Sequence, residues 1–140
     1  MKKIAIQLLT LAVIVIFGSV NNSAKSQELR NSSGSKTGKI ESDGTVRSDN
    51  GSKIGKIDSD GTIRNASGSK IGKIDSDGTI RNASGSKIGK LDSDGTVRND
   101  SGSKIGKVES DGSLRNASGS KIGSANGVKK EWAAVTFFFY

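Results

Sequence analysis

Gly51-Ser-Lys-Ile-Gly-Lys-Ile-Asp-Ser-Asp-Gly-Thr-Ile-Arg-Asn-Ala-Ser67 is the stretch on which the reading of this chain turns. The unit starts again, little changed, at Gly34, Gly68, Gly85 and Gly102, and a fragment of it begins at Gly119. Fixed-period self-similarity marks a fold built from one supersecondary unit that cannot bury its apolar face alone. The phase is strict: 17 of the 19 glycines occupy three rows, 34/51/68/85/102/119, 38/55/72/89/106/123 and 44/61/78/95/112. Aliphatic residues keep phase as well, at 40/57/74/91/108, at 46/63/80/97/114, and at Ile54/71/88/105/122. Repetitive disorder has no reason to hold such rows.

Within the unit, Asp58-Ser59-Asp60-Gly61 reads as a hairpin turn. Asp opens a type I turn by bonding the backbone ahead of it, and Gly61 supplies the left-handed residue of a G1 bulge. Gly44, Gly78, Gly95 and Gly112 take the same structural part in their repeats. Asp58 then faces Thr62, and Ile57 faces Ile63 across the strands. The β-branched residues around the turn favour strand, and Asn65-Ala66-Ser67-Gly68-Ser69 returns the chain for the next one. Helix is disfavoured, since each interior glycine costs about 1 kcal/mol there. Ile54 and Ile57 stand three apart, which breaks strand alternation; either Gly55 bulges the strand so that both point inward, which is the expected resolution, or Ile54 lies on the opposite face.

Outward from the repeats, Met1 to about Ser26 reads as a secretory signal peptide. Lys2 and Lys3 precede the apolar run Ile4–Val20, and Ala24-Lys25-Ser26 offers small residues for cleavage. The run is somewhat short for a membrane anchor, which needs ~20 apolar residues. The expected location is secreted or periplasmic, with residues 27–140 as one β-repeat domain. The chain has no cysteine and no histidine. This excludes disulfides, a lipoprotein anchor on cysteine, imidazole catalysis and most zinc sites. Removing Lys2, Lys3 and Lys25 leaves 19 basic and 14 acidic residues, a net charge of +5. That charge is spread evenly, and the repeats hold no aromatic residue for base stacking, so nucleic acid is not the expected partner.

Both ends carry half-units. Gln27–Ser33 matches the second half of a repeat and Gly119–Gly123 the first half, so they are complementary. Pairing them would close a ring and remove the open sheet edges. The last stretch, from Val128 to Tyr140, holds every aromatic residue after position 26. Val128, Trp132 and Val135 share a helical spacing, whereas Thr136–Tyr140 reads as strand or buried run. The small aliphatic repeats need more buried volume to fold alone. Trp132, Phe137, Phe138 and Phe139 are therefore expected to fill the centre as an aromatic core.

The five Gly-Ser-Lys-Ile-Gly-Lys-Ile-Asp-Ser-Asp-Gly-Thr-Ile-Arg units and the Trp132–Tyr140 tail together resemble the bacterial secreted family of five-fold β-flower proteins. The resemblance covers nearly all of residues 27–140. It implies a ring of five hairpin petals around a central axis and no established activity. Turns of the Asn-Ala-Ser-Gly kind, variants included, number six, however, so the symmetry depends on whether the terminal halves join. The expected fold is all-β, a closed ring of hairpin repeats, about five-fold, with the tail in the centre. A parallel β-solenoid is the alternative.

Candidate chemistry is sparse. Asp58/Asp60, Asp75/Asp77, Asp92/Asp94, Glu41/Asp43 and Glu109/Asp111 suggest calcium, but an EF-hand loop needs ligands at five or six positions, including a Glu at position twelve, and the repeat continues with Arg64 and Asn65 instead. A glycan hydrolase using these carboxylates would need an acid with a raised pKa in an apolar pocket. Asn65, Asn82 and Asn116 fit the glycosylation pattern, though a turn accounts for them equally well. The aromatic ending is like that of outer-membrane barrels, but the strands are short and lack an apolar outer face. Lys53, Lys70, Lys87, Lys104, Arg64, Arg81, Arg98 and Arg115 would present a repeated cationic array suited to an anionic surface glycan. The plainer reading is that they keep the ring soluble. The expectation is a non-enzymatic, monomeric structural or ligand-binding protein without cofactor, with the glycan hydrolase as the alternative.

Overall fold

The computed structural model describes residues 27–140; the signal-peptide reading of Met1–Ser26 lies outside the described residues. The repeat folds as its turn chemistry dictates. In the second unit the Asp58 N–H donates to the Thr62 carbonyl at 2.8 Å and the Gly61 N–H to the Asp58 carbonyl at 3.0 Å. Gly61 takes φ +88°, open to glycine without penalty. Ile57 pairs with Ile63, Lys56 with Arg64, and Gly55 with Asn65. At the opposite end, the Asn65 side-chain oxygen accepts from the Ser67 and Ser69 amides at 3.1 and 3.0 Å, an Asx-type turn that reverses the chain.

Repetition gives twelve strands: β1 (Glu28–Asn31), β2 (Lys36–Ile40), β3 (Thr45–Ser48), β4 (Lys53–Ile57), β5 (Thr62–Asn65), β6 (Lys70–Ile74), β7 (Thr79–Asn82), β8 (Lys87–Leu91), β9 (Thr96–Asn99), β10 (Lys104–Val108), β11 (Ser113–Asn116) and β12 (Lys121–Ala125). Each pairs antiparallel with its sequence neighbours, and β1 pairs with β12, so the sheet is a closed barrel. All neighbours being antiparallel, the solenoid alternative is not supported. At the closure Leu29 meets Ala125, Arg30 meets Ser124 and Asn31 meets Gly123. This is the Ile57/Ile63, Lys56/Arg64, Gly55/Asn65 register of β4 and β5. The complementary half-units therefore join into a sixth hairpin with its turn cut open. Five Asp-Gly hairpins are covalent, and the sixth petal is made by the two ends.

The inner wall is aliphatic, running from Leu29 and Ile40 round to Leu114 and Ala125, all buried. The odd spacing of Ile54 and Ile57 resolves differently from expectation. The register runs Val46 to Gly55 and then Arg47 to Lys53, so the extra residue is Ile54 itself. Gly55 stays in the ladder and is buried, while Ile54 is left 54% exposed. A bulge therefore exists, but it does not turn both isoleucines inward. Ile71, Ile88, Ile105 and Ile122, the counterparts of Ile54, pack against the core from the rim.

The tail forms helix α1 (Lys130–Phe138). Four consecutive residues, Trp132–Val135, are buried, which on a helix means burial on every face and hence enclosure by the ring. Thr136–Phe138 continue this helix, which corrects the strand reading. With the sheet closed, no edge is left to pair with a further strand, and inside the barrel a helix satisfies its own backbone groups. Nine residues at 1.5 Å each, about 13 Å, suit walls of five-residue strands, about 16 Å. The centre is also less aromatic than expected. Ala133 and Ala134 occupy it with no exposure, while Phe137, Phe138 and Phe139 are half-buried at one end. Trp132 is buried as well, at the mouth formed by the Asp turns, so the large rings lie toward the two ends of the helix with the small alanines between them.

Candidate binding surfaces

Three surfaces emerge: the outer belt, the mouth at the Asp turns, and the glycine-lined level where the tail aromatics sit. The belt follows from register. Lys56 and Lys70 flank Arg64 on neighbouring strands, Lys73 and Lys87 flank Arg81, and Lys90 and Lys104 flank Arg98. Arg47 is flanked by Lys39 and Lys53, and Arg115 by Lys107 and Lys121. Like charges placed opposite one another weaken a sheet, so this arrangement carries a stability cost.

The arginine head groups are held locally. Arg64 Nε donates to Asp58 Oδ2 at 2.7 Å and an η nitrogen to the Gly68 carbonyl at 3.0 Å. Arg81 and Arg98 repeat this pattern on Asp75 and Asp92, and Arg115 uses Glu109 at 3.0 Å. Lys53, Lys70, Lys87 and Lys104 are exposed and, among the described residues, form no salt bridge. The belt thus splits into anchored arginines and free lysines. Arg47, Lys39, Lys56, Lys73, Lys90, Lys107 and Lys121 belong to it too, and reading the sequence for candidate sites missed them. For Lys39, Lys56, Lys73, Lys90 and Lys107 the signal was the second lysine of the repeat, while Lys121 and Arg47 extend the first-lysine and arginine rows, but only the pairing register places the lysines beside the arginines.

The mouth is a bowl of about 710 Å³ lined by Asp60, Asp75, Asp77, Lys130 and Trp132. Its acids are committed to the turns. Asp60 Oδ1 accepts from the Thr62 amide at 2.9 Å, and that bond, joined by the Thr62 hydroxyl, holds the carboxyl below its ordinary range. Asp77 and Asp94 are lowered in the same way by Thr79 and Thr96. A general acid needs the opposite shift. Trp132 is buried, with the Lys129 ammonium 4.8 Å from its ring centroid, and offers no open stacking face. Among the described residues, no three carboxylates converge where a metal ion would sit. Gly44, Gly61, Gly78, Gly95 and Gly112 edge this mouth at φ of 88 to 91°.

A closed antiparallel ring of short hairpin repeats around a buried helix is the class that fold and surfaces define. The description of the 5-fold beta-flower protein family matches residues 26–140, and the chain belongs to that family. The five covalent hairpins agree with that description, and the sixth petal is the one closed by the ends. No curated protein and no solved structure matches the chain.

Proposed function

We propose that this chain is a non-catalytic ring outside the cytoplasm that binds an anionic surface glycan along its belt. The supporting observation is the Lys–Arg–Lys register repeated around the outside, with the arginines anchored by their own turns and Lys53, Lys70, Lys87 and Lys104 left free. A periodic polymer meets several equivalent lysines at once, and weak contacts sum through effective concentration. The extracytoplasmic setting rests on Lys2, Lys3 and the apolar run Ile4–Val20. The lowered carboxyls of Asp60, Asp77 and Asp94 support binding over hydrolysis.

The test is binding to an acidic polysaccharide, with a neutral glucan as control, at low and at about 0.15 M ionic strength, where screening reaches ~8 Å. Saturable binding that weakens with salt, and that is lost when Lys53, Lys70, Lys87 and Lys104 become Gln, is the expected result. Absence of binding, equal binding by the variant in which those four lysines are Gln, or turnover of the glycan would overturn the reading. The better account is then a purely structural ring, a binder that uses another surface, or an enzyme, respectively.

A further inference from the structure

The inward glycine row thins the wall at one level, and the tail uses it. A methyl group on Gly123 would lie 3.0 Å from the Phe137 ring, and one on Gly106, Gly89 or Gly72 would overlap Phe138, Phe139 or Tyr140. Four consecutive tail residues thus dock on four successive notches around the ring. The next notch, at Gly55, receives no tail residue. It is a cavity of about 100 Å³ walled by Ile54, Gly55, Ile57, Ile63, Ile71 and Tyr140. Ile54 is 54% exposed, whereas its four counterparts pack against the core.

The neighbouring notch shows what fits. The Tyr140 hydroxyl donates to the Ile71 carbonyl at 3.1 Å and to the Arg81 carbonyl at 3.3 Å. One repeat earlier, the equivalent acceptors are the carbonyls of Ile54 and Arg64, and the Arg64 oxygen stands 2.8 Å from where a Gly55 methyl would be. The sixth notch, at Gly38, lacks the aliphatic wall: Thr37 replaces isoleucine and donates to the Leu29 carbonyl at 3.2 Å.

We propose that the Gly55 notch binds a small phenol, a ligand the size of a tyrosine side chain, in continuation of the row of rings that joins helix to barrel. Its walls supply apolar contact, and the Ile54 and Arg64 carbonyls accept the phenolic O–H. Dry apolar cavities of comparable scale, about 150 Å³, take up benzene. The two acceptors favour a phenol over a hydrocarbon of equal shape, since one hydrogen bond of about 1.4 kcal/mol is tenfold in affinity.

The experiment is a titration of the purified protein with p-cresol, followed by amide NMR, with toluene, which lacks only the hydroxyl, as the control. Saturable shifts centred on Ile54, Gly55, Ile71 and Tyr140, with toluene binding about tenfold more weakly, are the expected result. Ile54→Thr copies the residue found at position 37, so the ring should fold unchanged while p-cresol affinity falls several-fold. Shifts absent or elsewhere, equal binding of toluene, or undiminished binding by Ile54→Thr would overturn the proposal. Concentration-dependent self-association abolished by Ile54→Thr, without p-cresol binding, would instead assign the notch to a second copy of the chain.

Discussion

Glycine does two different jobs in this chain, and a single methyl group separates them. Gly61 and Gly68 have nearly the same left-handed φ, +88° and +92°. A methyl on Gly61 would overlap the Ile74 carbonyl oxygen, while one on Gly68 meets nothing within 4 Å. Gly68→Ala should cost about 1–2 kcal/mol from backbone strain alone. Gly61→Ala should cost clearly more, because it must also push β6 away. Urea denaturation of the two variants checks this; equal losses would mean that φ alone sets the cost. The requirement for glycine at both positions is legible from turn chemistry. That Gly72 is kept for space rather than for conformation is not legible, because the Tyr140 ring that fills the space lies 68 residues further along the chain, in the tail.

At the scale of elements, the strands and their turns follow from short-range rules, and the sequence reading places the Ile57/Ile63 pair and the Gly61 turn correctly. Helix α1 tests longer-range logic. Thr136–Phe138 carry β-branched and aromatic residues that favour strand, yet a closed sheet has no edge to offer them, and enclosure overrides propensity. The bulge shows the same limit: glycine pointed to irregularity in β4, but which residue is extruded depends on the strand opposite. Since Ala133 and Ala134 fill the axis with no exposure, Ala134→Leu should overpack the barrel and cost about 1–3 kcal/mol. The same change at exposed Ala66 or Ala83 should be nearly neutral. Thermal melts of the three variants decide it, and a harmless Ala134→Leu would argue against a tightly enclosed helix.

At the scale of the molecule, eleven of the twelve strand junctions lie between sequence neighbours, and the twelfth joins the two ends. The half-units made that junction legible; the belt and the open notch required register and three-dimensional adjacency, which no single repeat reveals. Deleting residues 27–31 should remove β1, expose the edges of β2 and β12, and convert a discrete species into strand-exchanged oligomers. Size-exclusion chromatography with light scattering checks this, and an unchanged monomer would show that closure is dispensable.

The end-to-end junction also orders events in time. Hairpins between adjacent strands form from contacts close in sequence and should assemble quickly, whereas β1 and β12 must meet across nearly the whole domain. Helix α1 follows β12 after a short turn, and the rings of Phe137 to Tyr140, at and just beyond its end, dock on glycines of β12, β10, β8 and β6. An open, curved sheet can wrap a helix from the side; a shut one admits it only lengthwise. The seam between β1 and β12 is therefore expected to zip last, after the helix is seated, which makes the helix the template on which the ring takes its circumference.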